Sequence, residues 1–119
     1  MSDLNEFCEI SSTGYVKIKQ VDGLDYSTDE KIQLVLSARL LGNRLQQELK
    51  RQSLIPSQAT KEEIADMLNV NPKTLANRLG ELRNNKSLTS DGKDAFRMLG
   101  HAIPTLVDNL KKKRGKTRG

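Results

Sequence analysis

The apolar residues of this chain recur at two periods, one helical and one extended. Leu34, Ala38, Leu41, Leu45 and Leu49, with Val35 on the same side, repeat every three to four residues. That spacing predicts a long helix over about 28–52. Arg39, Asn43, Gln47 and Lys50 fall mostly off the stripe. Ser27, with Glu30 three residues on, supplies a capping box for its start. Gly42 costs such a helix about 1 kcal/mol relative to Ala, which suits a close packing contact there. Earlier in the chain, Val16 and Ile18 alternate with Lys17 and Lys19, so residues 14–21 predict a strand that Asp22-Gly23 ends. Residues 1–13 show no period and read as poorly ordered.

After a predicted loop over 53–59 that contains Pro56 and Ser57, Thr60 and Glu63 repeat the capping box. Ile64, Ala65 and Leu68 form the inner face of a short second helix. Asn69 ends it, because Asn tolerates the left-handed backbone a tight interhelical turn requires. Val70 plugs the turn, Asn71 caps a third helix and Pro72 sits in its first turn, where a missing N–H costs nothing. Leu75, Leu79 and Leu82 then point inward.

Two patterns compete in the remainder. Phe96, Leu99, Ile103, Leu106 and Leu110 fit one long helix, but Pro104 inside it would cost about 3 kcal/mol and Gly100 would add to that. The alternative is a hairpin, Ser87–Ser90 and Asp94–Leu99 about an Asp91-Gly92 turn, followed by a separate helix over about 102–113. The hairpin is favoured. Leu106, Val107 and Leu110 then face inward on the last helix.

Composition narrows the class. A chain of 119 residues makes one domain, and with no Trp, two Phe and two Tyr its core must be aliphatic. No run of about 18 apolar residues is present, which argues against a membrane span. The acidic N-terminus lacks the apolar stretch of a secretory signal. Cys8 is the single cysteine, so neither an internal disulfide nor a cysteine metal cluster is available. It reads as a spectator thiol in a loose segment, and a reducing compartment, the cytoplasm, fits.

Charge is distributed unevenly. The net charge is +5, but residues 1–30 hold seven acids against two lysines, and the last nine residues hold six cations. Without those nine, the body has 14 cations and 15 acids. Attraction to a polyanion must therefore come from a local face and from the tail.

With the hairpin directly after the third helix, the order strand, helix, helix, helix, hairpin, helix resembles the winged helix-turn-helix family of prokaryotic DNA-binding proteins. The likeness covers about residues 28–99 and is carried by particular residues. They are Ala65 at the fifth position of the motif, Asn69-Val70 at the turn, Leu75 and Leu79 on the recognition helix, and Leu82 with Arg-Asn-Asn-Lys-Ser-Leu leading into the wing. Asn69 and Ser87 stand where family members commonly have Gly. The resemblance implies a mainly α fold with a small β-hairpin: a three-helix core plus wing and a C-terminal helix. It divides the chain into an N-terminal segment 1–26, a winged-helix domain 27–110 and a basic disordered tail 111–119. It also implies a transcriptional regulator that binds double-stranded DNA, commonly as a homodimer whose apolar seam comes from the first or the final helix.

Stepping about 100° per residue from the buried leucines places Lys73, Asn77 and Asn84 outward on the third helix. Thr74 and Glu81 lie on one flank, Ala76 and Arg83 on the other. Lys73, Thr74 and Asn77 suit base readout: Asn can bond adenine bidentately, Lys the guanine acceptors, and Thr either base or a thymine methyl. Asn71, Arg83 and Lys86 join the candidate DNA-binding set, together with Lys93 at the hairpin tip. Arg78 lies nearer the buried stripe, within reach of a phosphate or of Glu48, Glu63 or Asp66. Lys111, Lys112, Lys113, Arg114, Lys116 and Arg118 would add nonspecific attraction. A plain solvated helix face is the competing reading of Lys73 and Asn77, with the same fold then serving protein interaction. RNA binding is disfavoured by the scarcity of aromatic residues for stacking.

Catalysis is not suggested. His101 is the only histidine and falls at the edge of the predicted last helix. No glycine-rich phosphate loop, metal-ligand spacing or nucleophile pattern occurs. Glu62-Glu63 is explained by the dipole of a helix N-terminus. No cofactor, metal, catalytic residue, membrane or small-molecule substrate is expected.

Overall fold

The computed structural model describes residues 4–50, 54–90 and 94–118, with side chains through Arg114. Among the described residues four α-helices dominate, accompanied by two small antiparallel sheets. Residues 4–10 are structured, against the expectation of a loose start. Leu4–Glu6 makes one 3₁₀ turn, and β1 (Cys8–Ile10) pairs antiparallel with β2 (Val16–Ile18). Cys8 faces Ile18 and Ile10 faces Val16 across this ladder, and that face packs on the first helix. The strand predicted over 14–21 therefore shortens to three residues and finds its partner within the segment that shows no period. The resulting ladder is separate from the second sheet.

Helix α1 (Thr28–Glu48) opens on the expected capping box: the Glu30 N–H donates to Ser27 Oγ at 3.1 Å, and the Ser27 N–H donates to Glu30 Oε1 at 2.7 Å. It is the central strut. Every residue from Leu34 to Leu40 is buried, because other elements cover it on all sides. The predicted stripe holds only in its first half. Leu34 and Ala38 are buried, whereas Leu45 and Leu49 are 44% and 58% exposed beyond the edge of the core. Arg39, expected off the buried face, is 3% exposed. The helix stops at Glu48 rather than near 52, with Lys50 in a left-handed conformation at φ 55°.

A strand not anticipated in the loop over 53–59, β3 (Ala59–Thr60), leads directly into α2 (Lys61–Leu68). Thr60 ends the strand and caps the helix, accepting from the Glu63 N–H at 3.1 Å. Asn69 turns the chain at φ 54°, ψ 48°, and the Val70 N–H donates back to the Ala65 carbonyl. Helix α3 (Pro72–Asn84) follows, with Leu75, Leu79 and Leu82 buried as the spacing requires. The predicted hairpin forms between β4 (Leu88–Ser90) and β5 (Ala95–Met98), and β3 pairs on the far side of β5, giving the order β3-β5-β4.

The chain closes with a 3₁₀ turn, Gly100–Ala102, and helix α4 (Ile103–Arg118), which holds Pro104 in its first turn. The helix runs past 113, so the disordered tail expected from residue 111 is replaced by helix through Arg118. Leu106, Val107 and Leu110 close the core alongside Leu36, Ile64, Leu79 and Met98. Among the described residues no helix is long and apolar enough to cross a membrane.

Candidate nucleic-acid interface

The surface of α3 separates into two sides. Leu75, Leu79 and Leu82 fix its back to the core, while Lys73, Thr74, Ala76, Asn77, Glu81, Arg83 and Asn84 are exposed. Asn71 caps the helix by accepting from the Lys73 N–H at 2.8 Å, so its side-chain oxygen is engaged in the cap while its NH₂ has no partner among the described residues. Lys73, Thr74 and Asn77 then follow on the first turns, one basic and two with paired donor and acceptor capacity. That set can grip phosphates and read base edges.

Arg78 is placed differently. Its Nε and Nη2 donate to the two Asp29 carboxylate oxygens, both at 2.6 Å, so its partner is the first turn of α1 and not Glu48, Glu63 or Asp66. Asp29 holds the guanidinium charged more firmly than usual, through the hydrogen bonds first and the opposite charge second. Glu63 instead belongs to Arg39.

Arg83 reaches the hairpin, donating to Ser90 Oγ at 3.2 Å and linking α3 to β4. Between them lies a turn with two backbone bonds, Ser87 N–H to the Leu82 carbonyl and Lys86 N–H to the Arg83 carbonyl. That is a Schellman closure. Its left-handed residue is Lys86, at φ 62°, and not Ser87, where the family pattern puts Gly. Lys86 is exposed, so the strained residue also presents a cation at the base of the hairpin. Lys93 lies outside the described residues.

The basic C-terminal segment folds back on the acidic N-terminal part. Lys113 Nζ lies 2.9 Å from Glu30 Oε1, and Arg114 lies 3.5 Å from Glu6 and over the Phe7 ring at 5.8 Å from its centre. Burial pushes the Glu30 carboxyl up, but Lys113 and the Ser27 amide outweigh it and hold the group below its ordinary value. Lys112 is exposed and Lys111 is half-buried. Lys116 and Arg118 lie on α4 beyond the described side chains. Of the predicted set, Asn71, Lys73, Thr74, Asn77, Arg83 and Lys86 are all exposed, on α3 and at its two ends. The carboxylates that hold Arg78 and Lys113 escape a sequence reading, because 49 and 83 residues separate each pair and no local pattern joins them.

Among the described residues no three His, Cys, Asp or Glu side chains are placed to hold a metal ion. Compared with family models, curated proteins and solved structures, the chain finds no match.

Proposed function

We propose that this chain binds double-stranded DNA as a winged helix-turn-helix protein, acting in the cytoplasm as a transcriptional regulator. The observation that carries the reading is the two-sided α3. Three buried leucines hold it from behind, Lys73 and Asn77 stand exposed on its front, and Thr74 is exposed on the adjoining flank. Support also comes from the element order β3-α2-α3-β4-β5, with the hairpin joined to α3 through Arg83 and Ser90. In this reading α3 enters the major groove by its N-terminal turns, the hairpin meets the neighbouring backbone, and the cations of α4 add sequence-independent attraction.

Pairing of two copies belongs to the same proposal, with α1 supplying the seam. Leu45 and Leu49 are exposed there, whereas Leu106, Val107 and Leu110 of α4 are already buried within the chain.

The test is a salt titration with a labelled random-sequence duplex. A DNA binder loses affinity steeply as salt rises, and Lys73→Ala reduces the slope by about one if Lys73 meets a phosphate. Absence of binding at low salt favours a protein-interaction module on the same fold. Binding that survives Lys73→Ala with Asn77→Ala, but is lost on removal of the basic end of α4, assigns it to charge alone.

A further inference from the structure

The first turn of α1 carries two consecutive carboxylates, and each holds a cation from an element to which the DNA reading gives phosphate contact. Asp29 takes both arms of the Arg78 guanidinium from α3, and Glu30 takes Lys113 from α4. A carboxylate receiving a guanidinium through two parallel bonds offers the geometry that a phosphate offers. Arg78 sits on the flank of α3 that also carries the exposed Thr74 and Glu81. A phosphate strand running along this flank would meet Glu81 and an arginine already neutralised by Asp29.

We propose that Asp29 sets the DNA affinity of this chain by occupying Arg78 in the free protein and releasing it to a backbone phosphate in the complex. The inference rests on the DNA reading above. The pair is open to solvent, with side-chain exposures of 39% for Arg78 and 29% for Asp29. An ion pair so exposed contributes little, so a phosphate displaces the carboxylate readily. Displacement trades one bidentate anion for another, and it adds one phosphate contact with its released counterion. Asp29 therefore acts on affinity without acting on sequence choice, because phosphates carry no base identity.

The experiment is fluorescence anisotropy of a labelled random-sequence duplex across a salt series, using the full chain. Four proteins are compared: wild type, Asp29→Asn, Arg78→Ala and the double variant. Asp29→Asn is expected to bind about fivefold more tightly at low salt with an unchanged slope, because Arg78 meets the phosphate in both complexes, whereas Arg78→Ala lowers the slope by about one. The gain is expected to vanish when Arg78 is also alanine. Asp29→Ser, which likewise removes the carboxylate and suits a first helical turn, gives the same gain if the asparagine variant folds poorly. If wild type binds and neither Asp29 variant binds more tightly, or if the gain survives Arg78→Ala, the inference is overturned and the DNA reading stands. If neither wild type nor the Asp29 variants bind the duplex at low salt, both are overturned.

Discussion

Arg39 of α1 lies 2.9 Å from Glu63 of α2, with the arginine buried and the carboxylate at the surface. The same guanidinium donates to the Gly14 carbonyl at 2.6 Å and the Gln58 carbonyl at 3.1 Å. One side chain thus joins the N-terminal ladder, the approach to β3 and the start of α2. Three acceptors satisfy a buried cation that would otherwise be costly. Arg39→Met keeps most of the volume but leaves two carbonyls and a carboxylate without their donor. We expect a loss of about 3 kcal/mol in urea unfolding, since breaking a buried pair strands its partners. A loss under about 0.5 kcal/mol would mean that water replaces the guanidinium without penalty.

Glu63 and Glu30 give a pH dependence whose sign is fixed. Burial pushes both carboxyls up, but capping amides and their cations, Arg39 and Lys113, outweigh it, and both lie below the usual 4.5. A carboxyl depressed in the folded chain contributes stability above its unfolded value and loses it as pH falls through the folded one. Stability is therefore expected to hold from neutral pH down to about 4.5 and to decline below it. Glu63→Gln should flatten that decline in acid urea titrations. An unchanged acid slope would show that other carboxylates control it.

Lys86 is a place where stability and binding separate. Its φ of 62° is strained for a residue with a Cβ and unstrained for glycine. Lys86→Gly is expected to raise stability by up to about 1 kcal/mol. On the DNA reading the same change removes a cation at the base of the hairpin, so it lowers duplex affinity and reduces the salt slope. Both effects are read on one sample, by thermal melting and by anisotropy. A variant that melts lower would show that the lysine side chain contributes more than its backbone costs.

The parts of the fold legible in sequence were those written in local chemistry. Ser27 with Glu30, Thr60 with Glu63, and Asn71 with Pro72 mark three helix starts, and each cap forms as its residue types require. Pro104 and the Asp91-Gly92 pair were enough to favour a hairpin and a separate last helix over one continuous helix. β1 and β3, of three and two residues, are not visible in the sequence, whereas β2 and the hairpin are marked by alternation and by turn residues. Arg39 is buried where the periodicity places it outside, because carbonyls of distant loops satisfy it, which no periodicity reports. The front of α3 was legible because its leucine spacing fixes which side faces away. The state of Arg78 was not, because Asp29 is brought to it only by tertiary packing.

Cys8 offers a check on the N-terminal segment. It is buried against Leu4, and burial pushes its thiol up to about 12, with Lys19 pulling the other way. A thiol so placed is almost wholly protonated at pH 8 and poorly reactive. Its modification by a thiol-specific disulfide reagent should be slow in buffer and should accelerate by orders of magnitude in denaturing urea. Rapid labelling without denaturant would show that residues 4–10 leave the core readily.

If α3 meets DNA as proposed, Asn77 gives the sharpest prediction for base reading. Its side chain is exposed at the middle of the α3 front, two turns from the hairpin end, and it can present a donor and an acceptor together to an adenine edge. Lys73 one turn earlier supplies charge, which a lysine contributes to any duplex. The two substitutions should therefore differ in kind. Lys73→Ala weakens binding to all sequences nearly alike and reduces the salt slope. Asn77→Ala leaves the slope intact and relaxes discrimination by about 1–3 kcal/mol at one base pair of the preferred site. Selection of preferred duplexes from a random pool by wild type and by Asn77→Ala, followed by sequencing, measures this directly. Identical preferences from the two proteins would remove Asn77 from the reading set, and loss of all binding with a lowered melting temperature would mark it as structural.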